Sequence, residues 1–309
     1  MTTYLVTGGA GFIGSHITEE LLTQGHNVVI LDDMTAGIRT NVFPQAEFIQ
    51  GSVADGELLH AICEEFNIEG IFHLAAVASV QKSVEDPMLV HEINATGTLN
   101  VLLAAKDCGV RKVVLSASAA AYGDDPVFPK RENMLPQPLS PYAVSKIAGE
   151  MYCDTFTRLY GLQTVALRYF NVFGPRQDPN SEYAAVIPKF TEAIVQGRSP
   201  VIFGDGMQTR DFVFVKDVVQ ANLKAMQSDA CGLFNIGRGQ QTSLNQLAQM
   251  IMEAVDTHVD IIYKDPRTGD IRDSVADISK AREVLGYEPA YSVADGIRET
   301  VEYFRGLMG

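Results

Sequence analysis

Apolar residues in the first half of the chain follow two alternating rhythms. Short runs rich in β-branched residues lie at Tyr4 to Thr7, Val28 to Leu31, Glu47 to Ile49, Gly70 to Leu74 and Lys112 to Ser116. Between them come amphipathic stretches at Phe12 to Gln24, Leu58 to Phe66 and Met88 to Ala105. Strand and helix alternating at this spacing imply right-handed βαβ crossovers and a parallel sheet. A helix expected over Tyr142 to Tyr160 and a strand over Thr164 to Leu167 continue the pattern. The fold class expected is therefore α/β, a doubly wound Rossmann parallel sheet with a smaller α/β C-terminal lobe. Beyond Phe170 the rhythm breaks into turns rich in Gly, Pro and Asp at Gly174 to Ser181, Gly204 to Gly206 and Asp265 to Asp270. The expected division is residues 1–170 for the sheet domain and 171–309 for a ligand-binding lobe. Because Val213 to Ala225 reads as strand then helix, residues 212–228 are expected to return to the sheet. No internal repeat or low-complexity linker calls for a third domain.

Composition narrows the class of function. With 24 Lys+Arg against 38 Asp+Glu in 309 residues, the net charge is −14, and 46% of residues are hydrophobic. The acidic balance argues against a non-specific nucleic-acid or anionic-membrane binder, while leaving room for a local anion pocket. No run approaches the ~18 apolar residues of a membrane span. The first basic side chain is Arg39, so no signal-peptide n-region is read, and a soluble cytoplasmic protein is expected. Cys63, Cys108, Cys153 and Cys231 lie far apart, without a C-x-x-C, and the six histidines are equally scattered. Buried thiols and no metal site are expected.

The first strand runs straight into Thr7-Gly8-Gly9-Ala10-Gly11-Phe12-Ile13-Gly14. Glycine is required where a turn takes positive φ, where backbone approaches a pyrophosphate, and where helix packs on strand. The helix starting near Phe12 then offers unpaired N–H groups to phosphate, with Ile13 in its first turn. Asp32 ends the next strand 18 residues after Gly14. An acid there, with Asp33 behind it, accepts from both ribose hydroxyls of an adenosine and repels a 2′-phosphate, so NAD is favoured over NADP. Leu74-Ala75-Ala76 places small side chains where backbone would pass near that cofactor.

A second constellation lies in Ser140-Pro141-Tyr142-Ala143-Val144-Ser145-Lys146. An N-cap serine and a proline at the first helical position put Tyr142 and Lys146 at i and i+4 on one helix face. A neighbouring ammonium would favour the phenolate and make Tyr142 a base near neutral pH. Lys146 could also hold a cofactor ribose. Ser118, near the end of the preceding strand, could share a hydrogen bond with a reacting alcohol.

With these motifs the chain resembles the extended short-chain dehydrogenase/reductase family, and within it the nucleotide-sugar 4-epimerases of the UDP-glucose/UDP-N-acetylglucosamine type. The resemblance implies a Ser118, Tyr142 and Lys146 triad, Ser118 being four residues before Tyr122 of a Tyr-Gly pair. Related sugar dehydratases and decarboxylases carry a carboxyl just after that hydroxyl, where this chain has Ala119 and Ala120. The resemblance further implies cofactor contacts from Ala36, Gly37, Ser52, Val53 and Tyr169. Ser52 stands where such relatives usually place an acid on adenine. In the second lobe it implies Asn171 on the sugar diphosphate, Ala185 and Val186 near the uracil, and Phe203 stacked upon it. Gln208, Arg210 and Arg267 would engage the diphosphate region, and Asp270 the uridine ribose. Bidentate, charge-assisted bonding suits arginine to phosphate. Ser274 stands where relatives restricted to unacetylated sugars carry a bulky aromatic, so N-acetyl sugars are expected to enter.

The function implied is NAD-dependent 4-epimerisation of UDP-hexoses through a transient 4-keto sugar. The competing expectations are action on another nucleotide sugar, such as UDP-glucuronate or a dTDP-sugar, and a non-catalytic NAD-sensing protein. Met88 to Ala105 and Tyr142 to Tyr160 carry apolar residues on more than one face. This is compatible with the homodimer through a four-helix interface that the resemblance implies.

Overall fold

The computed structural model describes residues 1–178, 186–266 and 272–308. Its first half runs β1 (Thr3–Thr7), α1 (Phe12–Thr23), β2 (Asn27–Asp32), β3 (Glu47–Gln50), α2 (Gly56–Glu65), β4 (Gly70–His73), α3 (Val80–Glu85), α4 (Pro87–His91), α5 (Gly97–Asp107), β5 (Lys112–Ser118), α6 (Pro141–Tyr160) and β6 (Gln163–Tyr169). Next come β7 (Asn171–Phe173), α7 (Val186–Val195), β8 (Val201–Phe203), β9 (Thr209–Arg210), β10 (Phe212–Phe214), α8 (Val215–Gln227) and β11 (Gly232–Ile236). The chain ends with β12 (Thr242–Ser243), α9 (Leu244–Val255), β13 (Ile262–Lys264), α10 (Ser279–Leu285) and α11 (Val293–Met308).

Seven strands form one sheet in the order β11-β6-β5-β4-β1-β2-β3, every neighbouring pair parallel. The sequence explains why both faces are covered. On β1, Tyr4 and Val6 enter one core while Leu5 enters the other. On β2, Val28 and Ile30 divide from Val29 and Leu31 in the same period of two. One face receives Ile17 and Leu21 of α1 and Val218 to Met226 of α8. The opposite face receives Leu59 and Ile62 of α2, Val101 and Leu102 of α5, and Phe156 of α6. Each such fully buried side chain contributes roughly 1.5–3 kcal/mol relative to exposure. Strand order reverses between β1 and β4, which opens a crevice at the carboxyl ends of the strands.

The second lobe has its own core of Phe190, Ile194, Leu247, Ile251, Ile297 and Val301 from α7, α9 and α11. Two-stranded pairs β7/β10, β9/β12 and β8/β13 line it.

Three elements differ from the sequence expectation. The stretch Met88 to Ala105 is not one helix: α4 gives way to a π-helical turn, Glu92–Thr96, before α5. The turn aims the Asn94 side chain inward, where it accepts from Val77 N–H at 2.8 Å and donates to the Ser145 hydroxyl at 3.0 Å. The strand expected near Val213 does not join the large sheet, because β10 pairs with β7. The element that returns to the sheet edge is β11, along β6, while α8 packs on the sheet face beside α1.

Candidate active site

Gly8 closes β1 with φ +72, and an added Cβ there would lie 2.7 Å from the Ala75 nitrogen. Its N–H donates to Leu31 O at 2.8 Å, and Gly11 N–H donates back to Gly8 O at 3.1 Å. The turn is thus pressed between β2 and the end of β4. Gly11 precedes α1 without any side-chain cap, so no side chain satisfies the first-turn N–H groups of Phe12, Ile13 and Gly14. A cradle too tight for a Cβ, leading into an uncapped helix start, fits a pyrophosphate.

Asp32 ends β2 and is buried. Its carboxylate accepts from Ala10 N–H at 3.0 Å and Met34 N–H at 2.9 Å. Burial nonetheless raises its pKa above the ordinary value, with those two bonds pulling the other way. The following loop folds over it, since a Cβ on Gly37 would meet Asp32 Oδ1 at 2.6 Å. Ile38 N–H closes the loop on Ala10 O at 3.0 Å. Asp33 turns outward and caps its own turn through Thr35 N–H at 2.9 Å, and Ala36 is exposed. On the far side of Asp32, the Ser52 hydroxyl accepts from Ala54 N–H at 3.1 Å, and Val53 is buried against Gly97.

At the end of β5, Ser118 starts a short 3-10 turn by accepting from Ala120 N–H at 3.1 Å. Ser140 caps α6 through Ala143 N–H at 3.2 Å with Pro141 at the first turn. This fixes Tyr142 next to Ser118, with Lys146 one turn deeper. Burial raises the Tyr142 pKa, and the hydrogen bond with Ser118 lowers it. The neighbouring ammonium expected to favour the phenolate is engaged elsewhere. Lys146 Nζ donates to Ser116 O at 2.9 Å, and burial lowers its own pKa to about 8 against the supporting charge of Glu150. Tyr169, paired with Ser118 across β5 and β6, donates its hydroxyl hydrogen to Asn222 Oδ1 at 2.9 Å.

Behind this site runs a hydrogen-bond chain that sequence reasoning missed. Ala75 N–H donates to Thr7 Oγ1 at 3.3 Å, and that hydroxyl meets His73 Nδ1 at 2.7 Å. His73 Nε2 reaches Thr98 Oγ1 at 3.0 Å, and Thr98 donates to Asn94 O at 2.6 Å. This order makes His73 a neutral Nε2–H tautomer, in keeping with burial pushing its pKa down to about 3. Asn94 reaches α6 through Ser145, whose hydroxyl donates to Tyr142 O at 2.8 Å. The glycine turn and the tyrosine helix are thereby coupled. A scattered histidine gave no signal; the only clue was His73 standing just before Leu74-Ala75-Ala76.

A second missed group sits one strand away. Arg168 is buried, makes a bidentate pair with Glu150 at 2.8 and 2.7 Å, and stacks 4.5 Å over the Tyr122 ring. Tyr122 donates to Asn235 Oδ1 of β11 at 2.7 Å.

The second lobe gathers its predicted residues along short strands. Asn171 is exposed on β7, with its N–H on Asp211 O at 3.0 Å. Ser274, half-buried, donates its N–H to Thr209 O at 3.2 Å, so Arg210 lies between the two. Arg210 Nη1 donates to the carbonyls of Thr209 and Arg272 at 2.9 and 3.1 Å. Gln208 donates to Phe203 O at 2.6 Å while its buried Oε1 lacks a hydrogen-bond partner. Phe203 lines an open hollow of 640 Å³ with Tyr263, Lys264 and Asp265. Val186 begins α7. Ala185, Arg267 and Asp270 lie outside the described residues. Asp211 anchors the region by accepting from Arg238, Gly239 and Ala276 N–H groups at 2.7, 2.9 and 3.1 Å. Burial still raises its pKa to about 6.

Comparison with known proteins agrees with this fold. The model of the NAD dependent epimerase/dehydratase family matches residues 4–237. A UDP-glucose 4-epimerase of Mycolicibacterium smegmatis is 44% identical over 308 residues, covering 97% of this chain and 98% of that protein. The crystal structure of a Thermotoga maritima UDP-glucose 4-epimerase with UDP-glucose is 43% identical, with a TM-score of 0.97 and 100% of both chains covered. A Methanobrevibacter ruminantium UDP-N-acetylglucosamine 4-epimerase, solved with UDP-N-acetylmuramic acid, is 41% identical, with a TM-score of 0.95 over 99% of each chain.

Proposed function

Because the chain belongs to the NAD dependent epimerase/dehydratase family, we propose that it interconverts UDP-hexoses at C4, UDP-glucose with UDP-galactose, through a transient 4-keto sugar. The observation that carries this reading is the site at the end of β5. Ser118 at the end of β5 and Tyr142 at the start of α6 are neighbours beside a buried Lys146, and Ala119 and Ala120 follow where dehydration or decarboxylation would need a carboxyl. The relatives named UDP-glucose 4-epimerase over nearly the whole chain support it.

The residues divide the work as follows. Ser118 and Tyr142 hold the sugar 4-hydroxyl, and Tyr142, in the phenolate form that Ser118 favours and burial opposes, takes its proton as the C4 hydrogen departs with its electron pair. Bound NAD would supply the reversible hydride acceptor for this site. Gly8 to Gly14 and Asp32 hold the two ends of the cofactor's adenosine diphosphate half, and Lys146 orients the nicotinamide-side ribose. Asn171, Arg210 and Arg267 anchor the sugar diphosphate, Phe203 and Val186 face the uracil, and Asp270 takes the uridine ribose. Anchoring the diphosphate while leaving the hexose loosely held lets the ketone turn and present its other face. Tyr142 then returns the proton to O4.

The small Ser274 favours entry of N-acetylhexoses as well. Exposed Met88, Leu89 and Leu103 along the Met88 to Ala105 stretch and exposed Val144, Met151 and Leu159 on α6 fit a homodimer joined through a four-helix interface, two segments from each subunit, which sedimentation as a monomer would reject. In this reading residues 1–170 bind NAD and most of 171–309 binds the nucleotide sugar. Among the described residues no helix is long and apolar enough to cross a membrane, and four free cysteines suit the reducing cytoplasm.

The test is incubation with UDP-glucose, UDP-galactose, their N-acetyl forms, UDP-glucuronate and dTDP-glucose, with products separated by chromatography. UDP-glucose and UDP-galactose should interconvert without net NADH absorbance. Turnover confined to UDP-glucuronate or dTDP-glucose, net NADH formation, or no turnover of any sugar would each overturn the reading.

A further inference from the structure

The amino edge of the sheet, opposite the glycine turn, brings together side chains that are distant in sequence. Glu69 N–H bonds Thr3 O and Arg111 N–H bonds Glu69 O, each at 3.0 Å. These bonds place the ends of α2 and α5 next to each other at the starts of β4 and β5. His60 and Glu64 lie at i and i+4 on one face of α2, and His60 Nδ1 is 3.7 Å from Glu64 Oε2. Cys108 caps α5, and its sulfur lies 3.8 Å from the His60 carbonyl oxygen.

We propose that His60, Glu64 and Cys108 form a binding site for a borderline divalent cation of the zinc class. The three donor atoms all lie within 4.8 Å of one another. Around a tetrahedral ion with bonds of about 2.0–2.3 Å, ligand atoms stand roughly 3.3–3.8 Å apart. Closing the site therefore needs only rotamer shifts of half-exposed side chains. A set of one imidazole nitrogen, one carboxylate oxygen and one sulfur suits Zn²⁺ or Co²⁺ and mismatches Mg²⁺ or Ca²⁺, which take oxygen alone. Water completes the coordination from the open side, since His60 and Glu64 are 42% and 67% exposed.

The local charges favour the ion. The carboxylates of Glu64 and Asp107 lie near the Cys108 sulfur and would repel its thiolate. A cation between Glu64 and Cys108 turns that repulsion into attraction and displaces the thiol proton to solvent. Cys63, one helical turn after His60, lies beside the Cys108 sulfur. Cys63 itself is buried in the core between the sheet and α2. It is the kind of outer partner that steadies a metal-bound thiolate. A lone His–Glu pair on a helix would be an ordinary solvated contact; the sulfur arriving from a second helix is what makes a site. Its effect is to tie α2 to α5, remote from the chemistry.

The test uses tag-free, reduced, metal-stripped protein titrated with Co²⁺ alone. The expected result is a thiolate-to-cobalt charge-transfer band that saturates at a single equivalent, together with a higher Tm in Co²⁺ or Zn²⁺. Cys108→Ser should abolish the band, and Cys231→Ser, altering an exposed cysteine, should leave it intact. His60→Ala should weaken Co²⁺ binding at least ~10-fold while sugar turnover stays at the wild-type rate. Absence of the band in wild type, its survival in Cys108→Ser, or unchanged affinity in His60→Ala would each overturn the proposal. The last of these decides even if Cys108→Ser does not fold.

Discussion

Replacing Gly14 with alanine puts a methyl group where the backbone leaves no room. The added Cβ would lie 2.2 Å from Gly8 O and 2.9 Å from both Gly8 C and Gly9 Cα. All three are main-chain atoms, so no side chain can swing aside. Either α1 or the turn must retreat by roughly 0.8 Å to open the nearest contact to 3.0 Å. The retreat has two separable consequences. Overpacking costs about 1–3 kcal/mol of stability. Displacing the N–H groups of the turn weakens charge-assisted hydrogen bonds to pyrophosphate, each worth about 1.5–3 kcal/mol. Partial loss of two such bonds amounts to about 2–4 kcal/mol, a 30- to 1000-fold weaker affinity for NAD. Calorimetric titration of NAD into stripped protein reads the second effect, and a thermal melt without NAD reads the first. Gly25→Ala serves as the control, because its Cβ would meet nothing within 4 Å although φ is +79. That variant should lose about 1 kcal/mol of stability and keep its NAD affinity. If Gly14→Ala bound NAD within about threefold of wild type, the turn would not be the phosphate cradle.

Tyr142→Phe should lower turnover by about 10²–10⁴-fold with NAD still bound; near-normal turnover by chromatography would refute the assignment. The Lys146 pKa of about 8 means that its ammonium is lost as pH rises through that value, so kcat should fall on the alkaline side of a pH–rate profile. Glu150 supplies the charge that raises this pKa, so Glu150→Gln should move the alkaline limb to lower pH; an unmoved limb would exclude Lys146 as its origin. The same variant removes the carboxylate partner of buried Arg168 and should cost about 3–5 kcal/mol in urea unfolding. Ser274→Tyr should abolish turnover of N-acetylhexoses and spare UDP-glucose, and retained N-acetyl activity in a competent enzyme would refute the role given to Ser274.

What was legible in the sequence was what is decided locally. The glycines of the first turn, Asp32 at a strand end and the Ser140-Pro141 helix start are fixed by neighbours a few residues away, and the structure places them as the spacing implies. The failures have distant causes. The break in Met88 to Ala105 comes from Asn94 binding Val77 and Ser145, contacts that no helical periodicity encodes. The returning strand Gly232–Ile236 carries a buried polar residue, Asn235, whose partners are Tyr122 and Lys130. Its apolar signal is diluted for that reason, and the more apolar Val213 drew attention instead. Tyr142 and Lys146 have the expected spacing, yet the ammonium answers to Ser116 O on β5, which i,i+4 reasoning does not reach. His60 and Glu64 are an i,i+4 pair, and Cys108 reaches them only because α2 and α5 end together.

The net charge of −14 sharpens how such a chain can hold two diphosphates. Arg168 cannot serve, because Glu150 neutralises it inside the core. Lys146 is buried, and its ammonium is bound to a backbone carbonyl. At the glycine turn, the groups placed to meet a phosphate are the uncapped backbone N–H groups and the α1 dipole. Arg210 is positioned differently from Arg168. Its Nη1 is oriented by the carbonyl oxygens of Thr209 and Arg272. Directional backbone donors at one diphosphate and an oriented guanidinium at the other suit anchoring within an acidic protein. The acidic surface meanwhile keeps longer polyanions away.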